Sequence, residues 1–283
     1  MLETPRAVCV PLLLHLPVFD AMDLHLQNKL ALVTGSTKGI GHAIAVALAA
    51  EGARVILNGR TDASVAEAVS SLLAEAPGAH VEAFAGDLSD PAQAKALAAR
   101  FPRVDILANN LGIFDPKPFE DIDDAEWLRF FNVNVMSGVR LSRVYLPGMK
   151  AQNWGRIVFI SSESGVQIPA EMVHYGVTKT ALLGLSRGLA ELCAGTAVTV
   201  NAVLPGPTRS EGVETFTRKL SGGQRFEAFE KTFFETARPT SLIKRFATPQ
   251  EVASLVAYVA SPLSAATTGA ALRVDGGVVK SAF

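Results

Sequence analysis

Short apolar runs alternate with longer stretches of helical periodicity along nearly the whole chain. The pattern predicts strands at Leu30 to Val33, Arg54 to Leu57, 79–84, 104–108, 156–162, 197–203 and 271–277. Helices are predicted from His42 to Glu51, over 62–75, from about Asp124 to Lys150, over about 172–194 and over 249–260. The first strand, Leu30 to Val33, is apolar throughout, as strands are when a sheet is covered on both faces. Strand and helix alternate about seven times, which predicts an α/β fold with one parallel sheet and helices on both sides. No repeat or low-complexity linker interrupts residues 23–283, so a single domain is expected there.

Residues 1–22 depart from this pattern. They hold three prolines and a broken apolar run, with Pro11 and Pro17 inside it. A secretory signal needs a basic start, an unbroken apolar stretch and a small-residue cleavage site, and the segment fits poorly. It reads as a non-essential extension ahead of Met22.

Composition narrows the classes. The 26 Lys and Arg nearly balance 27 Asp and Glu, and no basic run argues for nucleic acid. No apolar run approaches the ~18 residues that span a bilayer. The two cysteines, Cys9 and Cys193, form no metal or disulfide pattern and suit a reducing compartment, so a cytoplasmic protein is expected. The five histidines show no ligand spacing, and no metal is expected.

Two stretches carry chemistry. The first predicted strand runs into Thr34-Gly35-Ser36-Thr37-Lys38-Gly39-Ile40-Gly41, and a helix follows at once. Glycines let the backbone approach a pyrophosphate, which then rests on the helix N-terminal dipole. There is no G-K-[ST], so this is not a Walker loop. The second stretch is Ile160 to Leu185, which holds Ser162, Tyr175 and Lys179. Tyr and Lys four apart on a helix share one face. A phenol titrates near ~10 and exchanges protons poorly at neutral pH unless its anion is stabilised, which a nearby ammonium does. Ser162 can place a hydroxyl where charge develops on a substrate oxygen. A bare Y-x-x-x-K also occurs on ordinary solvated helix faces.

Taken together, T-G-x-x-x-G-I-G and S-x(12)-Y-x-x-x-K after RIVFISS resemble the short-chain dehydrogenase/reductase family, and the resemblance spans residues 24–283. It implies a Rossmann-type doubly wound sheet and hydride transfer between a nicotinamide cofactor and a carbonyl or secondary alcohol. Tyr175 would donate the proton, Lys179 would stabilise its phenolate and bind the nicotinamide ribose, and Ser162 would polarise the carbonyl. Asn134, in FFNVNVMSG, would hold the proton relay; on its own it reads as a buried amide that must satisfy its polar groups. Gly35, Ser36, Thr37, Lys38, Gly39, Ile40 and Gly41 would cradle the dinucleotide. Asp87 and Leu88 would meet the adenine, and Asn109 and Gly112 would line the site, with Asn109 tying strand ends together. Leu111 departs from the family's usual Ala. Pro205, Gly206 and Thr208 would fix the nicotinamide, although Thr208 follows the P-G turn more closely than in the commonest form.

Cofactor choice turns on Asn58-Gly59-Arg60. An acidic residue there selects NAD through the ribose 2′-hydroxyl, whereas Arg accommodates a 2′-phosphate. Gly59 stands in the acid's place, and Arg60 and Lys38 are cations, so NADP(H) is expected. The substrate expected from the resemblance is a 3-oxoacyl-type carbonyl. The alternatives are an NAD-linked alcohol, sugar or steroid dehydrogenase of the same family and a dinucleotide-binding pseudoenzyme.

Residues 209–246 are too long for an ordinary connection. They are expected to form a substrate lid hinged at Gly222-Gly223, with Phe216, Phe226, Phe229, Phe233 and Phe234 facing substrate. Arg209, Arg218, Lys219 and Arg225 would steer an anion or simply be solvated. The small and apolar run Ala181-Leu182-Leu183-Gly184-Leu185, with the resemblance, predicts a homodimer or homotetramer.

Overall fold

The computed structural model describes residues 23–211 and 225–282. Seven strands form one parallel sheet: β1 Leu30–Val33, β2 Arg54–Gly59, β3 Val81–Ala85, β4 Ile106–Asn109, β5 Gly155–Ile160, β6 Val198–Pro205 and β7 Ala271–Val274. Their order is β3-β2-β1-β4-β5-β6-β7, so the chain winds outward in both directions from the β1/β4 seam. Residue Val33 pairs with Leu57 on one side and with Ala108 on the other. Every residue of β5 and β6 is buried, which accounts for their mostly apolar composition, with Arg156, Thr199 and Asn201 as buried polar exceptions.

The helices are α1 Gly39–Ala50, α2 Asp62–Glu75, α3 Pro91–Arg100, α4 Asp124–Phe131, α5 Ser137–Ala151, α6 Val173–Glu191, α7 Phe226–Thr236 and α8 Pro249–Ala260. One core layer joins α1, α2 and α8 to the sheet through Ile44, Leu48, Leu72, Val252 and Val256. The other joins α3, α5 and α6 through Leu97, Leu141, Tyr145 and Leu182. Helix ends are set locally. Asp90 and Thr61 cap α3 and α2, and Thr248 with Glu251 forms a reciprocal capping box on α8.

Several elements differ from the sequence expectation. Helix α1 starts three residues earlier, because its first turn is built from the glycine motif itself. The span expected as one helix from Asp124 to Lys150 is interrupted by a π-helical segment, Asn132–Met136, which carries Asn134. Helix α3 has few large apolar residues and gives only a weak periodic signal. Strand β7 ends at Val274 because Gly276 and Gly277 adopt positive φ (63° and 76°) and turn the chain. The N-terminal extension, Phe216, Arg218, Lys219 and the Gly222-Gly223 hinge lie outside the described residues. Among the described residues no helix is long and apolar enough to cross a membrane.

Candidate active site

The carboxyl ends of β1, β4, β5 and β6 surround a cavity of about 640 Å³ at the seam where the winding direction changes. Ligands of open α/β sheets bind in this position because the loops diverge there.

One end of the cavity is made by the glycine turn. Gly35 and Gly39 hold φ of 59° and 58°, a region that side chains with a Cβ rarely adopt. A Cβ on Gly41 would fall 2.4 Å from both Asn110 Nδ2 and the Gly35 carbonyl, so α1 can pack this tightly only with glycine there. Helix α1 has no side-chain cap and no acidic residue in its first turn, and Gly39, Ile40 and Gly41 line the cavity. This bare bed of first-turn amides suits a diphosphate.

Ser36 faces away from the cavity. Its amide bonds the Asn58 carbonyl at 2.8 Å, and its hydroxyl accepts the Asn58 N–H at 2.9 Å. Thr37 lies over Gly59, where a Cβ would come within 2.3 Å of the Thr37 methyl. Lys38 pairs with Glu211 at 3.0 Å, both exposed, and that bond raises the lysine's pKa. Arg60 is exposed beyond the end of β2. Asp87 accepts from the Ser89 amide and hydroxyl at 2.9 and 2.7 Å. Leu88 is buried in the core.

The strand-end tie expected of Asn109 belongs to Asn110. Its Nδ2 donates to the carbonyls of Thr34 and Gly35 at 2.9 and 3.0 Å, and its amide donates to Thr34 Oγ1 at 2.9 Å. Asn109 points instead towards α5, where Nδ2 meets Ser142 Oγ at 3.4 Å. Alternation along β4 sends adjacent residues to opposite faces, and the Asn-Asn pair hid which one faced β1. Leu111 packs against the core layer of α3, α5 and α6.

The residues of the second motif lie deeper. Ser162 follows β5, while Tyr175 and Lys179 stand one turn apart on α6, and all three line the cavity. Lys179 Nζ donates to the Ile160 carbonyl at 2.9 Å and sits 5.5 Å from the centre of the Tyr175 ring. Burial moves both groups towards their neutral forms. The Tyr175 pKa is raised first by desolvation and then by the Glu163 charge, while Ser162 and Arg238 act against the rise. The Lys179 pKa is lowered by desolvation to about 8.

Asn134 is buried beneath these residues. Its Nδ2 donates to the Ile113 carbonyl and to Thr178 Oγ1 at 3.0 and 2.9 Å, and its Oδ1 accepts the Ile113 amide at 2.7 Å. Every polar group of the amide is thus engaged with protein. Gly112 fills the gap beside it: a Cβ there would stand 3.4 Å from Lys179 Nζ and 3.5 Å from Asn134 Oδ1.

The Pro205-Gly206 turn lines the cavity opposite α1, and Thr208 Oγ1 donates to the Gly206 carbonyl at 2.9 Å. Of the phenylalanines expected to face substrate, Phe229 and Phe233 line the cavity together with Phe246. Phe226 and Phe234 pack on the other sides of Phe246. Arg209 lies over the Phe226 ring at 4.2 Å. His174 is buried against Phe130, with ring centres 4.0 Å apart.

Sequence reasoning missed one group. Glu163 is buried beside Ser162, and its Oε1 accepts from Arg238 Nε at 3.1 Å. Arg238 also reaches Glu171 at 3.0 Å. A carboxylate directly after the serine, in Ser161-Ser162-Glu163-Ser164, was the available signal. Its partner 75 residues away gave none.

The chain is similar to known proteins over most of its length. A family model described as enoyl-(acyl carrier protein) reductase matches residues 35–279. The uncharacterized oxidoreductase YvaG of Bacillus subtilis is 50% identical over 264 residues, covering 93% of this chain and 100% of that protein. The 3-oxoacyl-[acyl-carrier-protein] reductase FabG of Escherichia coli is 35% identical over 259 residues, covering 90% and 99%. The crystal structure of L-sorbose reductase from Gluconobacter frateurii, complexed with NADPH and L-sorbose, superposes with a TM-score of 0.86 at 32% identity, covering 92% of this chain and 100% of that one. With its motifs, its sheet order and these relatives in agreement, the chain belongs to the short-chain dehydrogenase/reductase family of oxidoreductases.

Proposed function

We propose that the protein is an NADPH-dependent reductase of a small carbonyl compound, working reversibly on the matching secondary alcohol. The observation that carries this reading is the cluster of Ser162, Tyr175 and Lys179 in the same cavity as the uncapped start of α1. The bed of Gly35, Gly39, Ile40 and Gly41 fits the diphosphate of a dinucleotide, and Lys38 and Arg60 supply positive charge for a 2′-phosphate. Gly112, Pro205, Gly206 and Thr208 would border the nicotinamide, and Asp87 and Leu88 the adenine. When bound, that cofactor supplies the hydride.

The chain's own residues then manage a proton. Tyr175 gives its hydroxyl proton to the substrate oxygen. Lys179, one turn below, lowers the cost of the phenolate left behind and reaches the nicotinamide ribose. Ser162 fixes the tyrosine hydroxyl and the substrate oxygen relative to each other. Asn134 holds Ile113 and Thr178 in place beneath the lysine and supports its proton supply. Phe229, Phe233 and Phe246 exclude water, which sharpens these interactions.

A 3-oxoacyl-type substrate is the class carried by the Escherichia coli relative, and a ketose is the class carried by the Gluconobacter structure. Loss of NADPH absorbance with a carbonyl panel containing both tests the reading. Consumption that depends on the carbonyl supports it. No consumption with any member, by protein that binds NADPH, would leave it a binding protein.

A further inference from the structure

An arginine on the wall of a carbonyl site ordinarily grips a substrate carboxylate through two parallel N–H groups. Arg238, two residues past the end of α7, lines the cavity and is 8% exposed. Its five N–H groups can be counted. The Nε proton goes to Glu163 Oε1 at 3.1 Å. The two Nη1 protons go to Glu171 Oε1 at 3.0 Å and to the Ala237 carbonyl at 2.8 Å. Only Nη2 remains. A two-pronged grip needs Nη2 together with Nε or Nη1, and both of those are taken. Arg238 therefore has no fork left for an anion.

Charge points the same way. Glu163 is buried, and its other oxygen is held by the Ser164 amide and hydroxyl at 2.7 and 3.0 Å. Glu171 is half-exposed and lines the cavity as well. One guanidinium against two carboxylates leaves this wall one charge negative. The other cations among the described lining residues serve other places. Lys38 pairs with Glu211 at the cofactor end, and Lys179 bonds the Ile160 carbonyl one turn from Tyr175. Beside the wall stand Phe229, Phe233 and Phe246, while the hydroxyls of Thr232 and Thr236 donate back to their own helix at 3.2 and 2.8 Å.

We infer that Glu163, Arg238 and Glu171 form a selectivity wall: the site admits an uncharged carbonyl compound with an apolar body and disfavours one that carries a carboxylate beside the reacting carbon. The inference rests on the cavity being the carbonyl site proposed above, and it narrows the substrate class of that site. Arg238 holds the two glutamates in place and is not itself an anion receptor. A substrate carboxylate would meet a net like charge in a partly buried site, where repulsion is screened less than in bulk water.

Methyl acetoacetate and acetoacetate are matched probes, because they share the oxo group and differ by an ester methyl and one negative charge. Each is titrated by calorimetry into the full chain loaded with the tetrahydro analogue of NADPH. The ring of that analogue is uncharged and gives no hydride, so binding is read apart from turnover. Wild type should bind the ester about tenfold or more tightly than the acid. Glu171→Gln removes one charge of the wall at a half-exposed position and leaves Arg238 its buried partner Glu163. It should shrink the ratio by about threefold or more, through tighter binding of the acid. Acetoacetate that binds as tightly as the ester, an ester that does not bind, or a ratio that Glu171→Gln leaves alone would each overturn the inference. Preference for the ester with a smaller ratio in Glu171→Gln supports it even if wild type consumes no NADPH with either probe, a result that counts against the reductase reading alone.

Discussion

Lys179 Nζ lies 2.9 Å from the Ile160 carbonyl, at the end of β5, and is almost fully buried. This contact satisfies one of its three donors and neutralises none of its charge, so desolvation holds the pKa near 8. The consequence is a defined pH dependence of stability. In the unfolded chain the same lysine titrates near 10.5. Between about 8 and about 10.5 the unfolded state binds more protons, so this group makes stability rise with pH across that window. Its cost is complete below about 8 and absent above about 10.5. Lys179→Met should therefore be more stable than wild type at pH 7, by up to about 3 kcal/mol. The gap should close as pH rises through the window, as urea unfolding would show. A gap that stays constant with pH would mean that the lysine is not desolvated in the folded state.

Cofactor selection should rest on Lys38 and Arg60. The ion pair of Lys38 with Glu211 is exposed and worth little, so a 2′-phosphate can replace the carboxylate. Hydrogen bonds to charged groups contribute about 1.5–3 kcal/mol each. The double Ala variant should therefore lose NADPH affinity by roughly a hundredfold or more and leave NADH affinity nearly unchanged. Calorimetric titration of both cofactors into both proteins checks this. Wild-type preference for NADH would contradict it.

Gly206 touches the Asp275 backbone so closely that a Cβ would lie 2.5 Å from its carbonyl oxygen. Backbone cannot rotate away as a side chain can, so β6 and β7 would have to separate at their cavity end. Gly206→Ala should destabilise the protein by about 1–3 kcal/mol and weaken cofactor binding as well, because the 205–208 turn moves. Thermal melts with and without NADPH would measure both effects.

Assembly is a further expectation. Leu128 and Val144 on α4 and α5, and Leu192 after α6, are exposed at 70%, 45% and 60%. Apolar side chains of this size on neighbouring helices suit a self-complementary interface. Light scattering should give a dimer or tetramer at micromolar concentration, and a monomer would refute the expectation.

The sheet and the cluster of Ser162, Tyr175 and Lys179 were legible in the sequence because each depends on local pattern. Mostly apolar runs such as GRIVFI report burial on both faces, and Tyr175 and Lys179 need only helical spacing to share a face. Features that depend on partners distant along the chain were not. Arg238 reaches Glu163 across 75 residues and carries no mark of it in its own neighbourhood. The π-helical turn around Asn134 is fixed by bonds to Ile113 and Thr178, which periodicity does not register. Which asparagine of the pair at the end of β4 ties the strands depended on face, and only the fold settled it for Asn110. Helix α3 could have been found from Asp90-Pro91, a cap followed by proline at the first helical position, even with so little apolar signal.

The central claim is that Tyr175 gives up the proton in an NADPH-dependent carbonyl reduction. Tyr175→Phe removes one hydroxyl and leaves α6 and the cofactor bed intact. The measurement is the rate of carbonyl-dependent NADPH loss, paired with NADPH affinity, for wild type and this variant. Turnover should fall below a few per cent with affinity almost unchanged, about the hundredfold or greater loss expected for a missing general acid. A variant that keeps a substantial share of the wild-type rate on any carbonyl would place the proton donor elsewhere.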